Sequence, residues 1–128
     1  MFSATLSLRQ NLLIQIGQSF DTDFLKAVKF VVKSIKTNNT LFFAGNGGSA
    51  AEAQHMSAEY LATLDHRNFR PGIKALALTV DTSFITAWTN DFGYEDVYLR
   101  QLRTLATKGD VFFAYSTSGQ SQNIIRAL

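Results

Sequence analysis

Residues 41–60, LFFAGNGGSAAEAQHMSAEY, contain an apolar run, a loop with three glycines in four positions, and an alanine-rich segment. With Thr40 in front, LFFA has the length and character of a buried strand. The segment from Ser49 onward predicts a helix, with the Ser49 hydroxyl available to cap it. A turn between strand and helix needs one such glycine, or two. The surplus calls for a ligand that the backbone must approach closely.

Leu8, Leu12, Leu13 and Ile16 fall at helical spacing, and that helix is expected to end between Gly17 and Phe20. After DTD a second helix presents Phe24, Leu25, Val28, Val31, Val32 and Ile35 on one side, with Lys26, Lys29, Lys33 and Lys36 as a solvated face. Downstream of residue 60, DHRNFRPG (65–72) reads as a loop and IKALALT (73–79) as the second strand. VDTSFITAWTND predicts a helix capped by Asp81 or Ser83 and stopping before Gly93. YEDVYLRQLRTLA predicts another, with Val97, Leu102 and Leu105 inward. VFFAYS (111–116) follows as a third, buried strand. TSGQSQNIIRAL then opens a further helix whose apolar face would use Ile124, Ile125 and Leu128.

Strands alternating with helices predict an α/β three-layer sandwich, a parallel sheet flanked by helices of the flavodoxin or Rossmann kind. Ligands of such sheets sit beyond the carboxyl ends of the strands, where GNGGS, TVDTS and STSGQS all fall. Three strands are few for this architecture, and the last helix reaches Leu128 without a stop signal. The expectation is one domain over residues 1–128, with a helix pair at about 5–38 and the sheet and its loops at about 40–128, shortened after the third strand.

The 128 residues suffice for one core. Twelve Lys and Arg against ten Asp and Glu leave a charge of only +2, with no basic stripe for nucleic acid. Cysteine is absent, which excludes disulfides, thiolate metal sites and a cysteine nucleophile. The apolar residues near the N-terminus are broken by Arg9, Gln10, Asn11 and Gln15, so neither a signal core nor a membrane span is expected, and the default is a cytoplasmic protein.

Ser116, Thr117, Ser118 and Ser121 place four hydroxyls around Gly119 at the start of a helix. One hydroxyl would satisfy an N-cap; four point to a phosphate monoester held without lysine or metal. His55 and Glu59, four apart, share one helix face, predicted to lie near the ligand end of the sheet. Their spacing suits two ligands of a divalent metal, a base with its orienting partner, or a plain helix-face hydrogen bond. Asn90 and Asp91 can receive sugar hydroxyls or form a turn before Gly93. Arg67 and Arg70 can draw anions or face water, His66 reads as a surface residue, and Trp88 as core. Gly45, Gly47 and Ala50 also match G-x-G-x-x-A, with Asp81 roughly where a ribose acid would stand, although the connection is too long for the compact dinucleotide unit. No Gly-Lys-Ser/Thr follows, which removes a Walker loop.

GNGGSAAEAQHMSAEY, ALALTVDTSFITAWTNDFGYEDVYLRQL and KGDVFFAYSTSGQSQNIIRAL, in that order, closely resemble the phosphoheptose isomerases of the sugar isomerase (SIS) superfamily. The resemblance runs from about Leu41 to Leu128. It implies the SIS fold and an aldose-ketose isomerase converting sedoheptulose 7-phosphate to D-glycero-D-manno-heptose 7-phosphate for lipopolysaccharide or surface glycans. The implied assembly is a homotetramer with active sites at subunit borders. Carried over by motif, Asn46, Gly47, Gly48, Asn90 and Asp91 would touch substrate, while Ser116, Thr117, Ser118 and Ser121 would hold its phosphate. His55 and Glu59 match zinc-ligating positions, and Glu59 the proposed base. Family members extend through further strands and a helix carrying a glutamine and a histidine to the metal, which this chain does not include. A second expectation is a non-catalytic binding module similar to the bacterial protein that associates with the replication initiator DnaA. A dinucleotide enzyme is the third.

Overall fold

The computed structural model describes residues 2–19 and 21–128. It divides into two compact units, Met1–Val32 and Lys33–Leu128. The first unit is helical, made of α1 (Phe2–Ser19) and most of α2 (Asp21–Lys36). Phe20, where the first helix was expected to end, lies outside the described residues. Asp21 and Asp23 occupy the first turn of α2, and Lys33 and Lys36 its last, charges that complement the helix dipole. Leu8, Leu12, Leu13 and Ile16 are helical as predicted but all exposed, as are Phe24, Leu25, Val28 and Val32 on the predicted apolar side of α2.

In the second unit β1 (Leu41–Gly45), β2 (Ala75–Ala77) and β3 (Val111–Tyr115) form a parallel sheet in the order β2-β1-β3. Leu41 pairs with Ala75 on one side and Val111 on the other. The central strand is buried along its whole length, as a continuous apolar run between two helical layers should be. Alternation then divides its side chains. Phe43 stacks between Tyr60 at 5.7 Å and Phe113 at 4.8 Å, on the side covered by α3 (Gly48–Leu61). Phe42 and Ala44 pack with Leu78, Val97, Tyr98 and Ile124 on the opposite face. That face is covered by α4 (Thr82–Phe92), α5 (Val97–Leu105) and the short α6 (Gln122–Ile125). The parallel sheet flanked by helices is therefore as expected.

Several local expectations are corrected. Ser49 does not cap α3: the helix begins at Gly48, Gly47 takes the cap position with φ 56°, and no side chain bonds to the first turn. β3 is only partly buried, because it forms an edge of the sheet. Leu105 is exposed, since α5 begins at Val97 and its last turn runs beyond the core. Of the three residues expected to bury the last helix, only Ile124 does so; Ile125 and Leu128 are exposed. Asp81, in contrast, caps α4 by accepting from Phe84 N at 2.9 Å, and α4 stops at Phe92 before Gly93.

Candidate functional site

The three loop glycines differ in what they do. Gly45 lies against the first turn of α3: a Cβ there would sit 2.5 Å from the Ser49 carbonyl oxygen, so the chain can double back from strand to helix only without a side chain. Gly47 needs glycine for its positive φ. Gly48 has neither reason, for its φ is ordinary and nothing lies within 4 Å of the missing Cβ. Neither packing nor backbone conformation accounts for glycine at this position.

Asn46 stands between them at the carboxyl end of β1. Its Nδ2 donates to Asn123 Oδ1 at 2.9 Å, and its Oδ1 accepts from Asn123 Nδ2 at 2.8 Å and from the Tyr94 hydroxyl at 3.0 Å. The Tyr98 hydroxyl donates to the Gly45 carbonyl at 2.6 Å. Burial pushes the Tyr98 hydroxyl pKa well above its ordinary value, helped by its neighbour Tyr94, so it remains a donor at any physiological pH.

The second loop follows β3, the strand beside β1. Ser116 Oγ accepts from Gly119 N at 3.1 Å and lies 3.2 Å from Ser121 Oγ, while Ser118 Oγ accepts from Gln120 N at 3.1 Å. Ser121 holds the cap position of α6, yet its hydroxyl makes no cap bond. Ser116 and Ser118 thus brace the loop as acceptors of backbone N–H groups, and of the paired Ser116 and Ser121 hydroxyls one donates to the other, leaving that pair one hydrogen for a ligand. Thr117 is exposed at the tip. Asn46 and Ser121 line one cavity of about 220 Å³, together with Tyr94, Glu95, Gln122 and Asn123. No lysine or arginine lines it. Asn90 and Asp91 lie elsewhere, in the last turn of α4, where Asn90 Nδ2 donates to Asp91 Oδ1 at 2.8 Å and both are exposed.

His55 and Glu59 form a separate place. Glu59 Oε1 lies 3.9 Å from His55 Nε2, and the two share a cavity of about 290 Å³ with Met56, Tyr60 and Arg70. The Arg70 guanidinium closes the end of α3 by donating to the Glu59 carbonyl at 2.8 Å and the Tyr60 carbonyl at 3.0 Å. Ile73 N, just before β2, also donates to the Tyr60 carbonyl at 3.0 Å. Glu59 therefore sits toward the amino ends of the strands. Helix α3 climbs about 16 Å between Gly48 and Glu59 at about 1.5 Å per residue. This corrects the expectation that the pair lies near the ligand end of the sheet.

The imidazole and the carboxylate are chemically suited to a divalent metal as two of its ligands. Among the described residues no third His, Cys, Asp or Glu gathers with them. His66 is exposed, and Arg67 bonds Asp65 at 3.0 Å. Among the described residues no helix is long and apolar enough to cross a membrane.

Sequence reading missed Tyr94, Tyr98, Glu95 and Asn123. The tyrosines stand four apart in sequence, but Tyr94 precedes α5, so helical spacing alone does not place its ring, which meets that of Tyr98 edge-on at 6.4 Å. Asn123 carried no signal, because its partner is 77 residues away.

The family model for SIS domains matches residues 8–128. The chain is 50% identical over 98 residues to phosphoheptose isomerase 2 of Campylobacter jejuni, covering 77% of this chain and 48% of that one. It is 43% identical over 119 residues to phosphoheptose isomerase of Aliarcobacter butzleri, covering 93% and 62%. Among solved structures it is similar to phosphoheptose isomerase GmhA from Neisseria gonorrhoeae, with a TM-score of 0.85 and 32% identity over 98% of this chain and 64% of that one. A phosphoheptose isomerase from Francisella tularensis gives a TM-score of 0.89 at 27% identity, over 98% and 65%. The chain spans about half the length of several of the curated relatives it matches.

Proposed function

From the premise that this chain belongs to the SIS domain family, we propose that it works as a phosphoheptose isomerase, interconverting sedoheptulose 7-phosphate and D-glycero-D-manno-heptose 7-phosphate in heptose supply for lipopolysaccharide or surface glycans. The observation that carries this reading is the shared cavity of Asn46 and Ser121, which joins the loops after two neighbouring strands. The relatives' names support the catalytic reading over a binding module.

In this reading the hydroxyls of Ser116, Thr117, Ser118 and Ser121 donate to the phosphate, and Asn46, Gly47 and Gly48 bound the sugar beside it. Asn90 and Asp91 take sugar hydroxyls. Fixing the remote phosphate orients the reacting end. The Glu59 carboxylate removes a proton from C1 of the ketose, and the electron pair becomes the C1–C2 double bond of an enediolate. Glu59 returns the proton to C2, the hydroxyl proton of O1 passes to O2, and an aldehyde is left at C1. A zinc ion held in part by His55 and Glu59 would supply Lewis-acid polarisation of the carbonyl oxygen. The rise of α3 from the loop after β1 to Glu59 supports an assembly, a homotetramer, in which these parts meet at subunit borders. The place of action is the cytoplasm, where phosphorylated sugars are made.

Incubating the full chain with sedoheptulose 7-phosphate and following the aldose product by chromatography tests the reading. Formation of the heptose 7-phosphate is expected. Binding of the ketose with no aldose formed, at saturating zinc, would return the chain to the binding-module class.

A further inference from the structure

Asn46 has almost no bonding capacity left. A primary amide offers two lone pairs on oxygen and two hydrogens on nitrogen. Both oxygen positions are taken, by Asn123 Nδ2 at 2.8 Å and the Tyr94 hydroxyl at 3.0 Å, with the Tyr98 hydroxyl a weaker third donor at 3.3 Å. One hydrogen goes to Asn123 Oδ1 at 2.9 Å. The two amides face each other as a reciprocal pair, so neither can turn over alone without setting oxygen against oxygen and nitrogen against nitrogen. Tyr98 fixes the backbone one residue earlier through Gly45. Asn123 itself is 4% exposed, and both its amide nitrogen and its amide oxygen bond to Asn46.

Resting on the sugar phosphate reading, we propose that Asn123 is the positioning residue of this site. It locks Asn46 so that Asn46 meets the ligand through its one remaining Nδ2 hydrogen, as a donor and never as an acceptor. The Tyr94 hydroxyl completes the lock. A fixed donor there selects an oxygen that carries charge or free lone pairs, such as a phosphate or carbonyl oxygen.

Asn123→Asp keeps the shape and replaces the donor facing Asn46 Oδ1 with an acceptor, which forces Asn46 to turn its own oxygen toward the cavity. At pH 7.5 the variant is expected to show a KM for sedoheptulose 7-phosphate raised about tenfold, with kcat changed less than about threefold. As the pH falls and the introduced carboxyl gains a proton, the donor returns and KM moves back toward the parent's at the same pH. A merely structural role predicts no such recovery. Tyr94→Phe, at an exposed position, tests the lock without disturbing the core and is expected to raise KM about threefold.

The side-chain amide signals of Asn46 report the lock without substrate. In the parent one Nδ2 hydrogen is expected to exchange slowly and the other quickly, and Asn123→Asp is expected to remove the difference. Parental KM in Asn123→Asp at pH 7.5, or in Tyr94→Phe if the first variant does not fold, overturns the proposal while leaving the isomerase reading intact. Should the parent bind no sugar phosphate, the functional reading fails instead, and the amide exchange alone decides: two equally fast hydrogens overturn the positioning role.

Discussion

A methyl group on Gly45 would press on the Ser49 carbonyl, and one on Gly48 would meet nothing. The difference separates folding from binding within a single loop. Gly45→Ala forces backbone against backbone and is expected to cost about 1–3 kcal/mol. Gly48→Ala, inside the first turn of α3, is expected to leave the melting temperature unchanged or slightly raised, since alanine favours helix. It should nevertheless weaken sugar phosphate binding about fivefold or more. Thermal unfolding and calorimetry on the two variants check this. A binding loss confined to Gly45→Ala would mean the surplus glycine serves no ligand. Glu59, the proposed base, permits a similar separation: Glu59→Gln keeps size and hydrogen-bonding capacity but cannot take up a proton from carbon. Loss of a general base is worth about 10²–10⁴ in rate, so kcat should fall that far while sugar phosphate affinity stays within about threefold of the parent. Unchanged turnover would remove Glu59 from the mechanism.

At the scale of elements, apolar runs and cap residues told most of the story. TLFFA announced β1 because a central parallel strand must be apolar on both faces, and Asp81 or Ser83 announced the start of α4, which Asp81 caps. What local pattern could not show was which strand lies at an edge, so VFFAYS looked as buried as LFFA. Asp110, in the turn before β3, illustrates a tie invisible to local pattern. Its carboxylate accepts from Thr40 N at 2.7 Å, 70 residues away, and from Thr107 N at 2.7 Å and Thr107 Oγ1 at 3.1 Å. Burial alone would raise its pKa, but these bonds, with Lys74 nearby, outweigh it and hold the carboxyl below its ordinary value. A depressed folded-state pKa means stability that is present above the unfolded value and lost as pH falls through the folded one. Asp110→Asn should therefore lower stability at neutral pH by about 1 kcal/mol, allowing for solvent screening. The difference from the parent should narrow as pH falls below the unfolded-state value of about 3.9 and toward the lowered folded one. Denaturant melts at pH 7 and pH 3 measure it; a gap just as wide at the lower pH would mean that charge is not what holds the turn.

For the molecule as a whole, the decisive length is that of α3. The i, i+4 spacing of His55 and Glu59 correctly put them on one face, but a shared face says nothing of height along the axis. The rise of about 16 Å from Gly48 to Glu59 matches the length of five-residue β1 at about 3.3 Å per residue. The loops after β1 and β3 on one side and the Glu59 position on the other thus lie toward opposite ends of the sheet within one chain. If one substrate is to touch both, they must come from different subunits, as in the proposed tetramer. Complementation tests this directly. Ser121→Ala combined with Ser118→Ala removes two phosphate donors, and Glu59→Gln removes the base; each variant alone is expected to be nearly inactive. Unfolded together and refolded as an equal mixture, they would assemble at random. A site drawing its loop from one subunit and its carboxylate from another is intact when both choices fall well, in about one quarter of cases. Activity near a quarter of the parent's is therefore expected. A site built within one subunit would carry one defect or the other in every copy, and the mixture would stay as inactive as its parts.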